Sequence, residues 1–170
     1  MTKSFKILGI PGSLRKESFN KKALYAAKEL APDNVEIDIF ELHDIPLFSE
    51  DIENNPPPSV VEFKKKIREA DAIIFATPEY NYSVSGVLKN AIDWASRPYG
   101  DSAWAGKPAG IIGASLGTLG TARAQYHLRQ ICVTLDIHPL NKPEVMISNA
   151  SQKFDESGRL TDESTKKHIR

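Results

Sequence analysis

The sequence predicts an α/β protein built on a doubly wound parallel sheet, and three observations carry that reading. Strand-like and helix-like stretches alternate about five times along the chain. The strand candidates Phe5–Ile10, Ala72–Ala76 and Pro108–Ala114 are apolar almost without a break, as strands covered on both faces must be. Each of the three runs into a polar loop at its carboxyl end, where sheets of this kind collect their ligands.

The first strand carries Phe5, Ile7, Leu8 and Ile10 and stops at Pro11-Gly12. Ala23, Leu24, Ala27 and Leu30 then recur at helical spacing through Lys21–Ala31, with Ser18 as the N-cap. Between strand and helix stand Gly12, Ser13, Arg15, Ser18 and Asn20. A helix start leaves N–H groups unpaired at the positive end of its dipole, and two hydroxyls, an amide and a guanidinium complete a cradle for a phosphate monoester. An ordinary capped turn fits the spacing equally well. No Gly-Lys-Ser/Thr follows, and Gly9 and Gly12 do not open a GxGxxG fingerprint. The donors are mostly side chains, which suits a single terminal phosphate better than a pyrophosphate.

Val35–Phe40 alternates apolar and acidic residues, a strand with one wetter face near a sheet edge. Glu41–Ser59, with Pro46 and Pro56-Pro57-Pro58, is expected to be an irregular surface excursion. A helix follows from Pro58 or Ser59 to Glu69, its stripe formed by Val60, Phe63, Ile67 and Ala70. After Ala72–Ala76 comes the loop Thr77–Ser83, then a helix over Val84–Ser96. Arg97–Lys107 is a loop, and Pro108–Ala114 leads into Ser115–Gly120. Thr121–Leu135 is helical, with Ala124, Leu128, Ile131, Cys132 and Leu135 on one side. Ile137–Leu140 and Glu144–Ile147 are short candidates for a last strand, bent by Pro139 and Pro143. A final helix starts at Thr161 and runs to Arg170.

Composition narrows the function classes. Lys plus Arg and Asp plus Glu both number 22 in 170 residues, so no excess charge points to nucleic acid or an anionic membrane. The single cysteine, Cys132, excludes an internal disulfide and suits a reducing compartment. No segment approaches membrane-spanning length. One cytoplasmic domain over 1–170 is expected. In the strand order 2-1-3-4-5, found in flavodoxin-like sheets, the loops Pro11–Asn20, Thr77–Ser83 and Ser115–Gly120 would meet on one rim. Together they fit a flat ring with a phosphate tail.

The residues GSLRKESFN after the first strand, PEYNYSVSGVLKNAIDW after the third, and AGKP with GASLGTLGTAR around the fourth resemble the NADPH-dependent FMN reductase family. The likeness runs from about Lys6 to Ile147 and lies nearest the branch of soluble quinone, chromate and azo-compound reductases. It implies a flavodoxin-like, five-stranded doubly wound sheet with helices on both faces. It also implies bound FMN, NAD(P)H as co-substrate, small-molecule electron acceptors, and a homodimer or homotetramer with flavin sites near subunit interfaces. Position by position, Ser13, Leu14, Arg15, Ser18, Phe19 and Asn20 would hold the phosphate and ribityl chain, with Lys16 and Glu17 inside the same loop. Pro78, Glu79, Tyr80 and Asn81 would line the isoalloxazine chiefly through their backbone, and Ser115 and Gly117 would face its pyrimidine edge. Hydride transfer needs no side-chain acid or base, so no catalytic residue and no metal ligand is expected. Glu17 departs from the pattern, since a carboxylate beside a dianion must point outward or pair with Lys16 or Arg15. The final helix departs too, being genuinely short or trimmed.

Two rivals and several supporting residues complete the reading. Gly113-Ala114-Ser115-Leu116-Gly117 matches the G-x-S-x-G of serine hydrolases, with Asp136 and His138 as conceivable partners. A flavodoxin-type electron carrier would be expected to be acidic, and this chain is neutral. Arg123, Tyr126, His127 and Gln130 form a polar helix face that, with Glu144, is the expected association patch. Tyr80 and Tyr82 are candidates for an aromatic lip over the acceptor. Cys132 is expected in the core, Trp94 in packing, and Lys89, Asn90 and Asp93 in structural pairing.

Overall fold

In the computed structural model, which describes residues 4–170, β1 (Phe5–Pro11) lies between β2 (Val35–Ile39) and β3 (Ala72–Ala76), parallel to both. The first three residues of the expected domain lie outside the described residues. β4 (Pro108–Ala114) pairs with β3, and β5 (His138–Pro139) with the start of β4, so the order is β2-β1-β3-β4-β5 as the sequence predicts. The last strand is in two pieces. β6 (Val145–Ile147) pairs with Ile112–Ala114, further along the same edge of β4. Pro139 and Pro143 have no N–H to give a ladder, which accounts for the break between the pieces.

Helices cover both faces because the strands alternate apolar side chains. On one face Leu8, Ile10, Ile73, Phe75 and Ile111 meet α2 (Pro58–Glu69), α3 (Gly86–Ala95) and α4 (Ala122–Thr134). On the other, Ala76, Ile112, Ala114 and Ile147 meet Ala23 and Leu24 of α1 (Phe19–Leu30), together with Phe154 and Leu160. α5 (Glu163–Ile169) is a seven-residue helix capped by Asp162. Cys132 sits in the first core, where burial pushes its thiol up to about 11.

The long connection after β2 is more ordered than its prolines suggest. It holds a 3-10 turn at Glu50–Ile52 and is stapled to α3 at two backbone groups. Asn90 accepts from Phe48 N–H at 2.8 Å and donates to the Pro46 carbonyl at 2.8 Å, which the Trp94 indole also reaches at 2.8 Å. Trp94 and Trp104 are both buried, and Lys89 pairs with Asp93 at 2.7 Å, so these residues serve packing and pairing.

Candidate functional site

Three loops leave the carboxyl ends of β1, β3 and β4, which are adjacent strands, and they converge on a groove of about 190 Å³. Its walls are Ser13, Arg15, Ser18, Phe19 and Asn20 from the first loop, Pro78, Glu79 and Tyr80 from the second, and Ala114, Ser115 and Leu116 from the third.

The first loop starts where Gly12 N–H donates to the Ala76 carbonyl at 2.9 Å. A Cβ on Gly12 would come within 3.1 Å of Pro78 and 3.2 Å of Leu88, so only glycine lets the first two loops approach so closely. Ser85, the N-cap of α3, donates to the Gly12 carbonyl at 2.6 Å and locks that approach. Ser13 Oγ accepts from Arg15 N–H at 3.3 Å, and Ser18 Oγ caps α1 by accepting from Lys21 N–H. Both serines are buried. The first turn of α1 leaves Phe19 and Asn20 N–H without intrahelical acceptors, at the positive end of the helix dipole. Arg15 is exposed and donates only to the Glu17 carbonyl, at 3.1 Å. The polar end of the groove therefore carries a surplus of donors and one cation.

Glu17 does not pair with Lys16 or Arg15, as the sequence leads one to expect. It pairs with Lys22, one turn into α1, at 2.9 Å, and that ammonium chiefly holds its carboxyl below the ordinary range. Together with Lys16 it borders a neighbouring surface crease beside Ser157–Leu160 rather than the groove. Asn20 has its amide committed to β4, and Phe19 packs its ring 5.6 Å from Phe154. Leu14, Asn81 and Gly117 also stand off the groove lining.

The second loop is a tight turn in which Tyr80 and Ser83 exchange N–H···O bonds of 3.1 and 3.0 Å. Asn81 and Tyr82 between them have φ of +49° and +68°, the signs a type I′ turn requires. Glu79 was expected to act through its backbone. Its carboxylate instead reaches across to α4, accepting from Arg123 N–H at 3.0 Å, Ala124 N–H at 3.2 Å and Arg123 Nε at 2.5 Å. Arg123, expected on the association face, is thereby tied within the chain, and its guanidinium lies 3.7 Å over the Tyr82 ring. Tyr126 does meet Glu144, which raises the phenol's pKa through a hydrogen bond.

In the third loop Ser115 Oγ accepts from Gly117 N–H at 3.2 Å, and Ser115 N–H donates to the Ile147 carbonyl at 3.0 Å. The hydrolase reading fails on topology. His138 lies beside Pro108 at the opening of β4, while Ser115 follows its last residue, roughly 20 Å away for seven residues of strand. Asp136 and His138 face each other at 3.2 Å on the exposed far end. Ala114 and Leu116 join the groove without having been expected there. Leu116 had a readable signal, an apolar residue left exposed in a Gly-flanked loop between two residues that were named. Among the described residues no group of His, Cys, Asp and Glu could hold a metal ion, and no helix is long and apolar enough to cross a membrane.

Comparison with known proteins matches residues 5–152 to the sequence model of the NADPH-dependent FMN reductase family. The chain is 56% identical to an NAD(P)H-dependent FMN reductase of Pseudomonas aeruginosa, over 99% of this chain and 91% of that protein. It is 45% identical to a 2-hydroxy-1,4-benzoquinone reductase of a Burkholderia species, over 98% and 91%. The solved structure of a flavoenzyme NAD(P)H:(acceptor) oxidoreductase from Paracoccus denitrificans superposes with a TM-score of 0.89 at 38% identity, covering 97% of this chain and 91% of that one.

Proposed function

The chain belongs to the NADPH-dependent FMN reductase family and is an FMN-dependent NAD(P)H oxidoreductase of its quinone-reductase branch; on that premise we propose how the groove is used. The observation that supports the reading is the groove itself, polar and donor-rich where α1 begins and flanked by Pro78–Tyr80 and Ser115–Leu116 at the other end.

The donor set fits FMN. Buried Ser13 and Ser18, the free N–H groups that open α1 and the Arg15 guanidinium take the phosphate, as a dianion at a helix N-terminus requires. Asn20 contributes by fixing α1 against β4 rather than by offering a free amide. Pro78, Glu79 and Tyr80 present backbone to one side of the ring. Ser115 and Gly117 have N–H groups engaged within the chain, so their part is to shape the loop. Bound FMN supplies the ring that takes hydride from NAD(P)H and passes it to an acceptor. The residues around it position, shield and expose, and none is asked to move a proton.

Both reactants use the open side of the groove, between exposed Tyr80, Tyr82 and Leu116, and a shared face gives ping-pong turnover. Quinones are the favoured acceptors, with azo compounds, chromate and free flavin reducible at the same face. Tyr126, Arg123 and Glu144 form the patch through which a homodimer or homotetramer assembles. The reduced nicotinamide co-substrate and the lone buried thiol place the enzyme in the cytoplasm.

The test is a visible spectrum of the protein with FMN, followed by NADPH under argon and then a quinone. A bound yellow chromophore that bleaches and then recovers supports the reading, and parallel double-reciprocal plots support the ping-pong order. A flavin that binds but resists both nicotinamides would make the protein an electron carrier. Failure to bind flavin would remove the proposal.

A further inference from the structure

We infer that the Glu79 side chain is a positioning residue: by gripping the first turn of α4 it holds the strained turn Tyr80–Ser83, and with it the Pro78–Tyr80 wall of the groove, in the shape that receives the flavin. The inference rests on the FMN reading given above.

The grip has three parts. Glu79 is buried to 7% side-chain exposure, yet every contact it makes is to α4. One oxygen accepts from Arg123 and Ala124 N–H, and the other from the Arg123 guanidinium. Thr121, which precedes α4, makes no side-chain cap, so the helix is capped by a residue from the groove loop. Beyond Glu79, Arg123 stacks on Tyr82 at 3.7 Å and His127 Nδ1 lies 2.9 Å from Ser83 Oγ. Residues 79, 82 and 83 are thus all tied to the first two turns of one helix.

What the grip opposes is backbone strain. Positive φ suits asparagine tolerably, but Tyr82 at +68° crowds its Cβ against its own carbonyl. Such a residue keeps that conformation only where its surroundings over-determine it, and such residues gather at ligand sites. Were α4 to let go, the Tyr80–Ser83 turn would relax toward negative φ and swing Tyr80 out of the groove wall. The carboxylate therefore shapes a flavin-facing wall that it does not itself form.

A double-mutant cycle tests this. FMN affinity by fluorescence quenching, kcat and KM for a quinone, and the melting temperature are measured for wild type, Glu79→Gln, Tyr82→Gly, the double variant and Arg123→Ala. Glu79→Gln is expected to weaken FMN binding about tenfold in the native background. Beside Tyr82→Gly it should cost less than about threefold, because glycine takes positive φ without strain. Arg123→Ala keeps both cap N–H groups, and so the fold, and should also weaken FMN binding. The inference is overturned if Arg123→Ala binds FMN as wild type does. It is equally overturned if Glu79→Gln costs the same with and without Tyr82, which would leave Glu79 a helix cap and nothing more. A wild-type protein that binds no FMN would overturn the FMN reading first, and this inference with it.

Discussion

Asn20, in the first turn of α1, makes both of its amide hydrogen bonds to a single residue, Ala114 at the end of β4. Its Oδ1 accepts from Ala114 N–H at 2.8 Å, and its Nδ2 donates to the Ala114 carbonyl at 3.0 Å. The pair joins two of the three groove loops across 94 residues, in a place closed to water. Asn20→Ala leaves a buried N–H and a buried C=O unpaired, so a loss of about 2 kcal/mol is expected. Urea denaturation should show a lower midpoint at unchanged slope. FMN affinity should fall too, because α1 would no longer be held at a fixed distance from Ser115.

Lys22 is expected to matter for a phosphate it does not touch. It holds the Glu17 carboxylate at 2.9 Å, on the outward side of the loop. Arg15→Ala should weaken FMN binding about tenfold by removing the guanidinium, and the loss should shrink as salt rises. Lys22→Ala should weaken it about threefold by releasing an uncompensated negative charge near the dianion. Adding Glu17→Gln to Lys22→Ala should restore the affinity. Titration of the four proteins with FMN at two salt concentrations decides it.

The fold was legible because each β-strand and helix announces itself locally. Ala72–Ala76 is too apolar for anything but a covered strand, and Ser18 caps its helix where a serine should. The groove residues were legible to the same extent, since they cluster after three strand ends. What sequence could not supply was pairing between distant side chains. Glu79 meets Arg123 across 44 positions, and nothing local marks either as the other's partner. Glu17 was expected to turn to its neighbours Arg15 and Lys16. It found Lys22 instead, because the helix that starts at Phe19 folds the fifth residue back onto the loop. The split last strand follows from the same limit: two prolines imply a bend, but only the edge of β4 decides where pairing resumes.

Acid should loosen the loop that follows α3. Lys64 is buried in α2, and its ammonium donates to the Arg97 carbonyl and, at 2.6 Å, to Asp101. Arg68 pairs with the same carboxylate at 2.6 Å. Lys64, then Arg68, hold the Asp101 carboxyl below the ordinary aspartate range. A depressed carboxyl stabilises the fold above its unfolded pKa of 3.8 and loses that contribution as pH falls through the lower folded value. Asp101→Asn is therefore expected to lower stability near neutral pH, where Lys64 is left with one uncharged partner. Its melting temperature should converge on the wild type's as pH drops below about 3. Parallel melting curves at equal and opposite pH shifts would contradict this.

The two glycines of the Gly113–Gly117 segment should respond oppositely to alanine, and that asymmetry bears on what the segment is for. A Cβ on Gly113 would overlap Thr121 Oγ1 and stand 2.7 Å from the Thr77 carbonyl, so β4, the β3 loop and the start of α4 close on this point. Removing the threonine hydroxyl would relieve one clash, but the carbonyl is backbone and cannot turn away. Gly113→Ala should cost about 3 kcal/mol, and Gly113→Ala with Thr121→Ala should recover only part of it. A Cβ on Gly117 meets nothing nearer than Ser115 Oγ at 3.7 Å, so Gly117→Ala should change stability by less than about 0.5 kcal/mol. A nucleophile elbow needs both small residues to clear a strained, exposed serine. Here only the one beneath three packed elements is required, and Ser115 is spent on its own loop. The wild-type protein should accordingly show no esterase activity toward activated esters and no labelling by an active-serine reagent.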